Sequence, residues 1–271
     1  MSGDFLAAMA TESRRRAAEA RQRVSYDTLA ARARQGAAPP RLKLHDRFDV
    51  IAEIKPRSPA SGGPARPVGD LPARSQAYAA GGAAAVSVLT EPSRFDGSIE
   101  HLGSAAQVLA ALGLPAMRKD FIVDPYQLVE ARAAGAGGAL LILRLLTRAE
   151  LESLVKVGRD LGLFLLLEAF DEADLDIAKS LIAALGADGL LVGVNSRDLA
   201  TLQVRRQRLF ELGPRLPADV PCVAESGIAS AADARAAAAA GYRLALVGNA
   251  LMDAADPQRL VREMVEAGRA S

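Results

Sequence analysis

Val50-Ile51-Ala52-Glu53-Ile54-Lys55 is an apolar run that ends in charge, and its form returns twice, in Pro115-Ala116-Met117-Arg118-Lys119-Asp120 and in Phe164-Leu165-Leu166-Leu167-Glu168. Four to six apolar residues in a row are what a strand buried on both faces looks like, and such strands belong to parallel sheets. A charge at the end of such a run is costly unless it opens onto a polar site. Two further runs of similar form lie downstream, Val220 to Glu225 and Leu244 to Asn249. Together they predict parallel strands that deliver charged groups to one rim.

The surrounding pattern supports this. Strand-like stretches are expected at 50–54, 84–89, 115–119, 139–143, 164–168, 189–194, 220–225 and 244–247. Helical patterns separate them, at 71–80, 99–112, 125–134, 148–161, 172–185, 206–212, 231–240 and 257–267. Strict alternation gives the α/β class with a parallel sheet. A doubly wound open sheet would also alternate. Eight regular units with polar residues at nearly every strand end favour a closed (β/α)8 TIM barrel, a fold whose active sites lie at the C-terminal face. The length of 271 residues fits one such unit. Residues 1–48 are expected to form an N-terminal helical extension packed on the barrel, set apart by Ala38-Pro39-Pro40, with 49–271 as the barrel itself.

Composition narrows the function. Thirty-three basic and 32 acidic residues give a formal charge of +1, which argues against a nucleic-acid partner, since such surfaces carry a basic excess. The Arg14 to Arg23 cluster is interrupted by acidic residues and reads as a solvated helix face rather than an RNA-binding arm. The one cysteine, Cys222, sits in an apolar run and reads as buried packing. No signal-peptide pattern and no apolar stretch near 18 residues occurs, so no membrane association and a cytoplasmic location are expected.

If the barrel closes, its strand ends converge. Glu53 and Lys55, Lys119, Glu168, Asn195 and Arg197, Glu225 and Ser226, and Gly248 and Asn249 would then share one cavity. Paired lysines and carboxylates in a half-buried site can divide acid and base roles, because their environments pull their pKa values apart. The same residues could instead form structural ion pairs across the barrel mouth. A second constellation is suited to phosphate. Ala224-Glu225-Ser226-Gly227-Ile228 closes the seventh strand, and Leu246-Val247-Gly248-Asn249-Ala250-Leu251-Met252 closes the eighth and begins a short helix. Backbone amides there can face an anion, and barrels often bind phosphate after strands seven and eight. Ser58 and Ser61-Gly62-Gly63 would close the cradle from the other side. No nucleotide fingerprint is present. Neither His45 nor His101 has a ligand set around it, so no metal is expected.

Here the motifs resemble one family, the indole-3-glycerol phosphate synthases of tryptophan biosynthesis. The matching segments are Ile51–Pro59, Ser87–Glu91 with Phe95–Ser98, Arg118–Phe121, Leu166–Glu168, Gly193–Leu199, Val223–Ile228 and Val247–Met252, in the family's order from residue 49 to about 257. The resemblance implies a lyase without cofactor. Its phosphorylated small-molecule substrate is 1-(2-carboxyphenylamino)-1-deoxyribulose 5-phosphate, converted to indole-3-glycerol phosphate, carbon dioxide and water. It further implies Lys119 as general acid, Glu168 for the dehydration, and Lys55 to hold the substrate carboxylate, orient the acid or share the proton transfers. Glu53 and Glu225 would position the lysines and meet the anilino nitrogen or hydroxyls. Asn195 and Arg197 would order the ribulose chain, and Phe95 and Phe121 would flank the anthranilate ring. Leu199 and Leu246 would line the substrate, and Ser58, Ser226, Gly227, Gly248 and Asn249 would take the phosphate. A monomer is expected, with contacts to other tryptophan-pathway enzymes left open. Two positions depart from the family pattern: Asn249 stands where a small hydroxyl or acidic residue is usual, and Arg205 stands where an acidic one is. Two rival readings are a sugar-phosphate aldolase or isomerase with a Schiff-base lysine, and a non-catalytic phosphate-binding barrel.

Overall fold

The structure, a computed structural model, describes residues 2–57, 69–198, 201 and 203–271. Eight parallel strands close a barrel in sequence order: β1 Asp49–Ile54, β2 Ala85–Leu89, β3 Ala116–Lys119, β4 Gly138–Ile142, β5 Phe164–Ala169, β6 Leu190–Asn195, β7 Cys222–Glu225 and β8 Leu244–Val247. Closure is made by β1 against β8, with Ile51 beside Leu246. The helices are α1 Ser2–Arg23, α2 Tyr26–Gln35, α3 Leu71–Ala80, α4 Pro92–Phe95, α5 Ile99–Ala111, α6 Pro125–Ala133, α7 Arg148–Asp160, α8 Glu172–Leu185, α9 Gln207–Leu212, α10 Ala231–Ala239, α11 Asn249–Asp253 and α12 Pro257–Arg269. Eight of these fill the expected helical stretches. Short α11 is the helix expected to begin after the eighth strand, whereas short α4, after β2, was not expected as a separate element.

The apolar runs work because strand side chains alternate with period two. Val50, Ala52 and Ile54 of β1 pack outward under the helices, together with Val86, Val88, Leu165, Leu167, Val192 and Val194. Ile51 points the other way, into a separate interior cluster with Ala85, Met117, Leu140, Leu166, Leu191, Val223 and Leu246. At the barrel floor the Phe164 ring occupies space left by Gly138, where a Cβ would collide with it. Burying a large apolar side chain is worth about 1.5–3 kcal/mol, so every second residue of each strand stabilises one of two cores. β7 begins at Cys222, two residues later than the run of apolar residues indicates, directly after Pro221, which has no N–H to give a ladder.

The N-terminal region closes the barrel at both ends. Phe5, Leu6 and Met9 of α1 join the interior cluster at the mouth, and Leu42 and Leu44 join it from the floor. Helix α2 buries Leu29, Ala30 and Ala33 against Tyr126 and Val129 of α6, and the Tyr126 hydroxyl donates to the carbonyls of Ala20 and Val24 at 3.1 and 3.0 Å. The arginine cluster of α1 is not one solvated face. Arg15 faces solvent and pairs with Glu12 and Glu19. Arg16 instead reaches the buried carboxylate of Asp120 at 2.8 Å, and Arg21 reaches Asp124 at 2.8 Å. The acidic partners that decide this lie about a hundred residues away, at the end of β3.

Candidate active site

A cavity of about 410 Å³ opens at the C-terminal ends of the strands. Its wall includes Glu53, Lys55, Phe95, Lys119, Phe121, Glu168, Asn195, Arg197, Glu225, Ser226, Gly227, Leu246, Gly248 and Asn249. The remaining expected residues, Ser58 and Leu199, lie outside the described residues, as do Ser61, Gly62 and Gly63. Arg205 is exposed and meets the site only through its backbone, its N–H donating to the Ser196 carbonyl at 2.8 Å.

Lys119, the last residue of β3, lies at the centre. Its Nζ is 3.0 Å from Glu225 Oε2, 3.4 Å from Glu168 Oε1 and 4.0 Å from Glu53 Oε2. Burial alone would push the ammonium's pKa down, but the Glu225, Glu168 and Glu53 carboxylates outweigh it and hold it above the usual lysine range. Lys55 Nζ lies 3.1 Å from Glu53 Oε1. Burial favours the neutral form of Glu53, yet Lys55 and Lys119 together keep its pKa below the usual carboxylate range. Two glycines make room for these carboxylates. A Cβ on Gly248 would collide with Glu53 Oε1, and one on Gly193 would collide with Glu225 Oε1.

Asn195, at the end of β6, ties the carboxylates to the loops. Its Nδ2 donates to Glu168 Oε1 at 2.9 Å. Its Oδ1 accepts from the Arg197 N–H and from Ser226 Oγ, both at 2.9 Å. With donors and acceptors on both ends, the amide has one orientation that satisfies it. Ser226 and Gly227 follow Glu225 with φ of 65° and 80°. The left-handed turn costs a non-glycine residue roughly 1 kcal/mol, and the Ser226 contacts to Asn195 and Ser196 hold it in place. Beside it, Gly248, Asn249 and Ala250 carry the first turn of α11 to the cavity wall. The first amides of a helix have no intrahelical acceptor.

Glu225 is less well neutralised than Glu53, which has Lys55 as well as Lys119 beside it. Lys119 is shared among three acids, so Glu225 has one divided cation, and its Oε1 is buried without a hydrogen-bond partner among the described residues. Burial pushes its pKa up to about 8, and neighbouring Glu168 adds to this against the pull of Lys119. The sign of the pH dependence follows. The folded protein keeps a proton that the unfolded chain releases near 4.5, so stability is full below 4.5 and is lost as pH rises through about 8. Glu225→Gln is expected to flatten the pH dependence of the melting temperature across that window. An equally steep slope in the variant would count against this titration.

The sequence-based set missed several lining residues. Phe5, from α1, meets Phe121 edge-on with ring centroids 6.1 Å apart, and the Phe95 ring lies tilted against Phe121 at 6.3 Å. Leu140 and Ile142 of β4 and Phe170 after β5 extend this apolar wall, and Arg206 stands at the opposite, glycine-rich end. With only seven Phe and no Trp in the chain, Phe5 and Phe170 were the available signals. The site thus has an aromatic end, a charged centre and an amide-rich end. Chemically, apolar rings suit a flat aromatic group, backbone amides suit an anion, and adjacent lysines and carboxylates suit proton transfer.

Comparison with known proteins identifies the family. Residues 6–264 match the family model for indole-3-glycerol phosphate synthase. An indole-3-glycerol phosphate synthase of Mycolicibacterium smegmatis is 43% identical over 250 residues, covering 90% of this chain and 88% of the relative. One from Rhodococcus opacus is 40% identical over 258 residues, covering 93% and 92%. Among solved structures, a 3-hexulose-6-phosphate synthase from Salmonella typhimurium superposes with a TM-score of 0.60 at 13% identity, covering 81% of this chain and 98% of that one. A thiamine phosphate pyrophosphorylase from Pyrococcus furiosus gives 0.59 at 17% identity, covering 82% and 96%. At those identities the structures speak for the barrel alone, whereas the sequence relatives extend over the whole fold. The chain belongs to the indole-3-glycerol phosphate synthase family.

Proposed function

We propose that the cavity closes the indole ring of 1-(2-carboxyphenylamino)-1-deoxyribulose 5-phosphate, with Lys119 as the general acid. The observation that carries this reading is the Lys119 ammonium, held by three carboxylates between an aromatic wall and an amide-rich turn. The anthranilate ring would lie among Phe95, Phe121 and Phe5. Its carboxylate would meet Lys55, and the phosphate would rest on the amides of Ser226, Gly227, Gly248 and Asn249, with Arg197 and Leu246 along the chain between them.

Ring closure joins the carbon that bears the carboxylate to the substrate ketone, and the ketone oxygen must gain a proton as its double bond is lost. A lysine whose pKa stands above the usual range keeps its proton until an alkoxide-like oxygen develops, so the transfer is confined to the transition state. Loss of carbon dioxide then restores the aromatic ring, and loss of water gives the indole. Glu168, oriented by Asn195, would take the proton lost in that last step. Glu53 would hold Lys55 apart from Lys119, and Glu225 would orient the Lys119 head group.

The same electrostatics disfavour a Schiff-base mechanism, which needs a neutral amine as nucleophile. Borohydride added during turnover is expected to leave every lysine unmodified. The direct test is indole fluorescence with the carboxyphenylamino-deoxyribulose phosphate as sole substrate; no fluorescent product would sink the reading. A monomer acting in the cytoplasm on a diffusible substrate is part of the proposal. Among the described residues no helix is long and apolar enough to cross a membrane.

A further inference from the structure

We infer that Arg206 is an additional phosphate-binding residue in this chain, a side chain that leaves its resting partner Asp233 to meet the substrate's phosphate. The inference rests on the placement of the phosphate at Gly227 and Gly248 proposed above. Arg206 immediately precedes α9 and lines the amide-rich end of the cavity with Ser226, Gly227 and Asn249. Its stem lies against Gly227: a Cβ built there would be 2.7 Å from Arg206 Cγ and 3.4 Å from its Cδ. The left-handed glycine therefore serves two ends, the turn itself and the close approach of this arginine.

The guanidinium is only partly engaged. Nη2 pairs with Asp233 Oδ1, and its other N–H groups have no hydrogen-bond partner among the described residues. The Arg206 side chain is half-exposed, at 51%, so it is free to turn. Asp233 does not depend on it, since its Oδ2 accepts from the Ala229 N–H at 3.0 Å and Ser230 Oγ at 2.9 Å. A planar guanidinium with open N–H groups matches two phosphate oxygens at once. A dianion arriving at Gly227 offers it a stronger partner than one carboxylate already satisfied by a helix cap. An arginine there supplies the phosphate with a cation that the Asn249 side chain, being neutral, does not.

Steady-state kinetics of three variants test this. Arg206→Ala is expected to raise KM about tenfold with little change in kcat, the size of one charge-assisted hydrogen bond, and Arg206→Lys to recover part of the loss. Inhibition by inorganic phosphate should weaken by the same factor in Arg206→Ala. Asp233→Asn, which frees the arginine, should leave KM unchanged or lower it. Equal rises in KM for Arg206→Ala and Asp233→Asn would mean a purely structural pair and overturn the inference, as would an unchanged KM in Arg206→Ala. If phosphate inhibits wild type and Arg206→Ala alike, Arg206 alone is misassigned. If phosphate fails to compete with substrate in the wild type, the phosphate cradle itself is wrong.

Discussion

Lys119→Ala is expected to give a folded protein whose turnover is slower by about 10³-fold, within the range by which a positioned general acid accelerates a reaction. The proton for the ketone oxygen has no equivalent source. Lys55 is in the same cavity but is held at 3.1 Å by Glu53, so its ammonium is committed to the other side of the site. Removing Lys119 also leaves Glu53, Glu168 and Glu225 close together without their shared cation, and an uncompensated buried charge is costly. The carboxylates answer by taking up protons, which moves their folded-state pKa values up. A raised folded-state pKa gives stability that is present at low pH and lost as pH rises. The melting temperature of the variant should therefore fall furthest below wild type at high pH and approach it as pH drops toward 4.5, the unfolded value of a glutamate. Lys119→Arg separates the two roles: it restores the cation, and with it the pH dependence of stability, but an arginine gives up its proton too reluctantly to restore turnover. Turnover near wild type in Lys119→Ala would remove Lys119 from the chemistry.

Much of this site was legible before any coordinates because a buried strand permits few exceptions. In Val50–Lys55 every second residue must be apolar on the outer face, so the inward Glu53 and Lys55 stand out as costs that need a reason. The same logic exposes Lys119, Glu168 and Glu225. What a run of residues cannot carry is the direction of a helix face whose partner is remote. Arg15 and Arg16 are neighbours in one basic cluster, yet one is solvated and the other is drawn to Asp120, whose carboxylate also accepts from Thr90 at 2.7 Å and Arg118 at 2.9 Å. Phe5 is hidden for the same reason: its place beside Phe121 depends on where α1 docks. Short α4 was readable in principle, since the Glu91 carboxylate caps the N–H groups of Ser93 and Arg94 at 2.8 and 2.7 Å, a local signature masked by the brevity of the helix. Arg206 was hidden differently, by lying next to Arg205 at the start of an expected helix, where charge is ordinarily solvated.

Glu168→Gln is expected to lower kcat by about 10²-fold, the lower range for loss of an acid–base group, while KM stays close to wild type. The substitution preserves the shape of the side chain and an oxygen to accept from Asn195 Nδ2, so the 2.9 Å contact that orients it survives. What is lost is a carboxylate able to take a proton. Of the three chemical steps, ring closure needs an acid and decarboxylation needs neither acid nor base. Dehydration needs a base for the proton on the carbon beside nitrogen while the hydroxyl departs. If Glu168 serves that step, the variant should still close the ring and release carbon dioxide, then stall at the hydroxylated, decarboxylated ring. A single-turnover experiment reads this directly as carbon dioxide released ahead of indole fluorescence, whereas in the wild type the two should rise together. Equal slowing of both signals would instead put Glu168 in ring closure, acting through Lys119, whose Nζ it faces at 3.4 Å. The charge balance makes the two outcomes separable. Losing one of three carboxylates weakens the hold on the Lys119 proton, and a more willing acid cannot by itself slow the step that uses it.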